Sequence, residues 1–182
     1  MDSPADITIE ELQAGAAAVV DAEIEMLAEV LRAVVHDGAS VNFCIPFSID
    51  EAREFWLDKI LPKVRACTLR VLTARHEDRI FGTVQLNLDM PPNQRHRADV
   101  AKLLVHPSAR RRGVAKALMM ALEEMALSEG RTLLVLDTVT ASNAEFLYRS
   151  LDYVAVGVIP RYARAALTPE LEGTTVMYKE LG

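Results

Sequence analysis

Cysteine, positive charge and long apolar runs are all in short supply in this chain, and each shortage excludes something. Two cysteines, Cys44 and Cys67, stand among 182 residues. They read as reduced core thiols and not as a bridge. Lysine and arginine number 20 against 26 aspartates and glutamates, for a net charge of −6. That balance excludes a general nucleic-acid binder, and an anionic ligand would need a local basic site. No apolar run approaches membrane-span length and no secretory h-region opens the chain, so no membrane partner and a cytoplasmic location are expected. No His/Cys/Asp set has metal-ligand spacing, so no metal is expected. Internal repeats and low-complexity segments are also missing.

What is present suits one globular domain: 51% apolar and 25% charged residues, enough for a sizeable core. Residues 1–5 read as a frayed end. Ile7 and Ile9 alternate with polar neighbours, as in a strand near 6–12, although Thr8 and Glu11 also have capping-box spacing for a helix. Val20, Ile24, Leu27, Leu31 and Val34 give a helical stripe over about 16–35, which His36-Asp37-Gly38 stops. Ala39 to Phe47 is an apolar loop of the kind that lines a pocket or packs on the core. Ser48 and Glu51 form a capping box for a helix to about Val64. Thr68–Ala74 and Ile80–Leu88 read as a hairpin, and Pro91-Pro92-Asn93-Gln94 breaks the chain. Ala98–Val105 is another strand, with Asp99, Ala101, Leu103 and Val105 expected on one face. An amphipathic helix from Val114 ends at Gly130. A buried strand Leu133–Leu136, a helix Ser142–Ser150, a strand Tyr153–Ile159, a loop over 160–173 and a strand Thr174–Lys179 complete the order. The expected class is α/β, a mixed sheet with helices on both faces.

Between strand and helix lies the run Val105-His106-Pro107-Ser108-Ala109-Arg110-Arg111-Arg112-Gly113-Val114-Ala115-Lys116. A strand that enters a helix through glycine leaves the N–H groups of the first helical turn free. With the positive end of the helix dipole they form an anion site. Gly113 admits close approach of a bulky phosphate, and the arginines add charge-assisted donors. It is neither a G-x-x-x-x-G-K-S/T loop nor a dinucleotide fingerprint, whose second and third glycines are missing. The run reads as a pyrophosphate cradle.

Arg110-Arg111-Arg112-Gly113-Val114-Ala115 resembles the R/Q-x-x-G-x-G/A loop of the GNAT-type N-acetyltransferases. The resemblance extends to Asn143 and Tyr148 on the later short helix and to Leu151-Asp152-Tyr153-Val154. A finer similarity is to the tabtoxin-resistance acetyltransferases. It rests on His36-Asp37-Gly38-Ala39-Ser40-Val41, Arg97-Ala98-Asp99-Val100, Leu136-Asp137-Thr138 and the Thr-x-x-Tyr-Lys-x-Leu-Gly tail. The last loop position is usually glycine and is Ala115 here, which narrows the cradle slightly. The resemblance implies the GNAT acyl-CoA N-acyltransferase fold, with a mostly antiparallel central sheet. It implies one domain over 1–182, with an acetyl-CoA core over about 68–182, acting as monomer or homodimer. It implies acetyl-CoA as co-substrate, held by Leu103, Leu104, Val105, Arg110, Arg111, Arg112, Gly113, Val114, Ala115, Lys116, Asn143 and Tyr148. The pantetheine arm would pair with Leu103–Val105, where two parallel strands splay apart. The resemblance implies a small-molecule amine as acceptor, with amino-acid-like toxins or antibiotics among the candidates, and Arg161 and Arg164 are expected to hold a carboxylate.

Acetyl transfer to an amine needs an ammonium to lose a proton, an oxyanion to be stabilised and a thiolate to be protonated. With no Ser-His-Asp order and no G-x-S-x-G elbow, direct transfer is favoured over an acyl-enzyme. Asp99, a carboxylate on an apolar strand, is either a partner for Arg97 or Lys102 or, by the resemblance, a base acting through water. Asp137 ends a buried strand at the carboxyl end, where open sheets bind ligands. It caps a turn or, by the resemblance, lies in the acceptor pocket. Tyr148 aligns with the family's general acid. The contrasting reading is a non-catalytic CoA-binding module that serves as sensor or partner protein.

Overall fold

The computed structural model describes residues 7–13, 15 and 17–182, residues 17–19 by backbone alone. The end expected to fray at 1–5 lies outside the described residues. So do residue 6 of the first strand reading and residue 16 of the first helix reading. Residues Thr8–Glu11 form strand β1, paired antiparallel with β2, so the helix reading at Thr8 does not hold. Helix α1 spans Ala17–His36, and its stripe Val20, Ile24, Leu27, Leu31 and Val34 is buried. Ser48 and Glu51 close the expected capping box on α2, Ile49–Glu54. The chain then continues through a π stretch, Phe55–Ile60, into α3, Leu61–Arg65. Pro62 has no N–H to return to a carbonyl one turn back, and the Leu61 N–H bonds to the Trp56 carbonyl, five residues back.

The remaining elements are β2 (Leu69–His76), β3 (Arg79–Asn87), β4 (Arg97–Val105), α4 (Val114–Ser128), β5 (Leu133–Val139), α5 (Asn143–Ser150), β6 (Val154–Arg164) and β7 (Leu171–Glu180). The sheet order is β1-β2-β3-β4-β5-β7-β6, and only β4–β5 pairs parallel. The architecture is the expected mixed, mostly antiparallel sheet. One core joins Leu72, Val84, Leu86, Ala98, Leu134 and Met177 to Leu118 and Leu122 of α4. The other, on the opposite face, joins Val71 and Leu104 to Leu27, Leu31 and Trp56.

Three expectations are corrected. Cys67, expected in the core, is exposed at the turn after α3, where it has a left-handed φ of +55°. Residues 160–173 are not a loop: β6 runs to Arg164 and β7 begins at Leu171, which makes a long hairpin. Pairing skips between Ile159 and Ala163, around Pro160 and a left-handed Arg161, so the alternation that marks a strand is broken in the sequence. Nor do Asp99, Ala101, Leu103 and Val105 share a face. The β3–β4 register shifts where Lys102, with φ +51°, forms a bulge. Ala98 and Val100 pack on the α4 side, so Asp99 and Ala101 face α1. After the bulge, Leu103 and Val105 turn to the α4 side and Leu104 to the other.

Candidate active site

Strands β4 and β5 pair only over Arg97–Asp99 and Leu133–Val135. Both run on, to Val105 and Val139, without pairing each other. Their parting opens a cleft of about 1130 Å³. The expected cradle stands at one end. Gly113 is the N-cap of α4 and offers no side-chain cap, and the first helical bond runs from the Ala117 N–H to the Gly113 carbonyl. The N–H groups of Val114, Ala115 and Lys116 are left for a ligand. Gly113 has φ +80°, and a Cβ there would meet nothing within 4 Å. Its backbone conformation demands glycine, and the empty space beside it is what a phosphate needs.

The arginines divide. Arg110 forms an ion pair with Asp37, and its Nε lies 3.4 Å from the Val105 carbonyl. It braces the loop against the end of α1. Arg111 and Lys116 line the cleft with Arg110, whereas Arg112 is not among the lining residues. Leu103 and Val105 line it; Leu104 is buried in the core beneath α1–α3. Asn143 lines the cleft from the first turn of α5.

Deeper in, the two faces of the sheet meet. Leu134 and Leu136 pack towards α4, so Asp137 projects from the opposite face. Thr174 of β7 holds it there, with Oγ1 2.9 Å from Asp137 Oδ2 and 2.9 Å from the Thr138 carbonyl. Tyr148 comes from α5 on the α4 side and is 6% exposed. Burial pushes its hydroxyl well above the usual tyrosine range, and the Asp137 carboxylate adds to the rise. Both residues line the cleft. Asp99 does not: it pairs with Arg97 on β4, below the point where the strands part.

Lys102 and Glu172 also line this end. Burial lowers the Lys102 ammonium from its usual range to about 8, with Asp137 opposing the change. The roof is the loop over 38–47, against which the β6–β7 turn docks. The Ile45 N–H donates to the Ala166 carbonyl at 3.0 Å, and Cys44 Sγ lies 3.7 Å from the Ala165 carbonyl. Ala39, Ser40, Val41 and Asn42 of that loop line the cleft, whereas Phe43 and Phe47 pack with Phe55 and Trp56. Arg161 and Arg164 are not among the lining residues, and the Arg164 Nε bonds to the Thr168 carbonyl at 3.3 Å.

The Acetyltransferase (GNAT) family model matches residues 35–153, about two thirds of the chain. The chain belongs to the GNAT acetyltransferase family. Solved structures agree on the fold. An N-acetyltransferase from Staphylococcus aureus superposes with a TM-score of 0.78 at 16% identity, covering 97% of this chain and 99% of that one. A GCN5-related N-acetyltransferase from Kribbella flavida gives 0.76 at 23% identity, covering 98% and 100%. The yncA protein of Salmonella typhimurium, solved with its cofactor acetyl-CoA, gives 0.75 at 16% identity, covering 97% and 95%.

Sequence reasoning missed three residues that line or brace this cleft. Lys102 was seen only as a partner for Asp99, because nothing in a strand pattern announces a bulge. Thr174 was an ordinary strand residue until β7 was laid beside β5. Glu145, on α5, is buried yet charged. It accepts from the Ala141 N–H at 2.7 Å and Thr175 Oγ1 at 3.1 Å, and pairs with Arg149 at 2.6 Å. Arg149 is the main cause holding its carboxyl below the usual range. These bonds fix the start of the helix that carries Tyr148. Ser142…Glu145 has capping-box spacing, the one signal that could have found it.

Proposed function

We propose that this GNAT protein transfers the acetyl group of acetyl-CoA directly to the primary amine of a small molecule, and that amino-acid-like toxins or antibiotics are the acceptor class to test first. One observation carries the reading: Asp137 and Tyr148, from opposite faces of the sheet, both line the cleft that opens where β4 and β5 part.

The residues present fit the co-substrate. The unspent N–H groups of Val114, Ala115 and Lys116, with Arg111 beside them, suit a pyrophosphate. The unpaired edge of β4 at Leu103–Val105 suits an amide-bearing arm, and Asn143 offers a side-chain amide opposite. Acetyl-CoA, when bound, supplies the acetyl thioester. Asp137 then takes the proton that the acceptor ammonium loses before its nitrogen can attack. Thr174 keeps that carboxylate aimed into the cleft. The Tyr148 hydroxyl donates a hydrogen bond to the departing sulfur, which leaves as a thiolate and becomes the thiol by taking up the second proton, released by the nitrogen as it becomes an amide. Cys44 is not among the lining residues, so no thiol stands ready to take the acetyl group itself.

Thiol release from acetyl-CoA against a panel of amines tests the reading. Turnover with at least one amine, reduced in Asp137→Asn and partly recovered at high pH where more free amine exists, is the expected result. Tight acetyl-CoA binding without thiol release on any amine would instead make the protein a CoA-binding sensor.

A further inference from the structure

Lys102 occupies the extra position of the β4 bulge at φ +51°, a conformation few residues other than glycine adopt without a compensating reason. The bulge lets its side chain reach the roof of the cleft. There Nζ donates to the Val41 carbonyl at 2.9 Å and lies 5.7 and 5.8 Å from the ring centres of Phe43 and Phe55. An ammonium has three donors. Val41 takes one, and among the described residues no second acceptor meets it. The ring faces attract its charge but leave the other two N–H groups unspent. Lys102 lines the same cleft as Asp137, the charged group whose field reaches it. The other lining cations are committed elsewhere: Arg111 and Lys116 flank the α4 cradle, and Arg110 is paired with Asp37.

A partly desolvated cation with unspent donors, facing the space where the amine must sit, is suited to an anion carried by the same molecule. We propose that Lys102 is an acceptor-binding residue: it holds an anionic group of the acceptor, a carboxylate in the simplest case, while Asp137 receives that molecule's amine. The proposal rests on the acetyltransferase reading. It assigns the role expected of Arg161 and Arg164 to a residue that lines the cleft. Lys102 on β4 and Asp137 on β5 stand on either side of the gap, so one acceptor bridges the strands where they part.

The test uses L-amino acids, each paired with its own α-amide, as acceptors for the wild type, Lys102→Gln and Lys102→Met. Glutamine keeps a donor for the Val41 carbonyl and loses the charge; methionine keeps neither. The wild type is expected to prefer the acid over the amide. Lys102→Gln should erase that preference by raising KM for the acid about tenfold or more, the scale of one charge-assisted hydrogen bond. KM for the amide and acetyl-CoA affinity by calorimetry should hold. A wild type that prefers amides overturns the proposal while acetyl transfer stands. Equal losses on acid and amide in Lys102→Gln also overturn it, and make the lysine a latch on the Val41 loop. If no amine at all releases thiol, the acetyltransferase reading falls and the assignment falls with it.

Discussion

At the scale of single residues, environment changes what Tyr148 can do. Its ring packs 5.6 Å from that of Tyr153, and burial with the nearby Asp137 charge disfavours the phenolate. A tyrosine is already a weaker acid than a thiol of pKa about 8.5, and burial widens the gap, so in the proposed mechanism it serves the departing sulfur by a hydrogen bond and not by giving up its proton. Tyr148→Phe should lower the single-turnover rate by about 10²-fold with acetyl-CoA affinity unchanged. The wild-type rate should show no alkaline decline traceable to this residue up to pH 10. Lys102 behaves oppositely. Burial disfavours its ammonium, so the charge is present below about pH 8 and lost above it. KM for an acid-bearing acceptor should rise as pH passes 8, while KM for its amide should not. Gly113 is fixed by conformation: a Cβ there meets no atom within 4 Å, so the fold of Gly113→Asp should survive with a penalty of about 1–2 kcal/mol for the left-handed backbone. Its carboxylate would stand where phosphate binds, so calorimetry should show acetyl-CoA binding lost.

At the scale of elements, the site depends on how α4 is seated. Gly82 of β3 pairs with Val105, and a Cβ on it would lie 2.9 Å from the Leu104 carbonyl and 3.2 Å from both Val114 Cγ1 and Leu118 Cδ1. Its bare backbone lets the first turns of α4 lie close on the sheet. Gly82→Ala should push that turn away and weaken acetyl-CoA binding without touching any ligand group. It should also lower the melting temperature by more than Gly113→Ala does, because here the neighbour is backbone and cannot yield. Helix α5 is held from below by Glu145, which joins the Ala141 N–H, Thr175 and Arg149. Eight residues would be marginal as a free helix; here they carry Asn143 and Tyr148, both of which line the cleft.

At the scale of the molecule, the helices cover the sheet unevenly. On one face α1–α3 pack over β2, β3 and β4, and the same face of β5 and β7 forms one end of the cleft under the loop over 38–47. On the other face α4 and α5 carry the cradle and Tyr148. The splay is the passage between the two sides, and in the proposed function the place where two substrates would meet. The side beneath α1–α3 depends on Trp56, fully buried with Ile24, Leu31 and Val71 in one core. Trp56→Ala should cost about 3–5 kcal/mol. Saturating acetyl-CoA should recover part of the lost melting temperature, since a ligand that binds only the folded state stabilises it.

Much of this was legible along the chain. The stripe of α1, the capping box at Ser48, the β2–β3 hairpin and the glycine that opens α4 are local signals. They depend on 3.6- and 2-residue periods and on the few conformations open to glycine and proline, so they can be read without knowing what packs against what. The free N–H groups at the start of α4 were legible for the same reason: they are consecutive in one helical turn. The lining at the other end of the cleft was not. Asp99 and Asp137 look alike in sequence, as carboxylates on apolar strands, yet one lies where β4 and β5 still pair and the other where they have parted. Lys102 gained its place from a register shift against β3, Thr174 from the pairing of β7 with β5, and the roof from a hairpin tip that meets a loop some 120 residues earlier. Local backbone preference acts over a few residues and is written in their order. Which side chains face one cleft depends on strand register and bulges, which are settled only when distant segments compete to pair and bury their apolar faces.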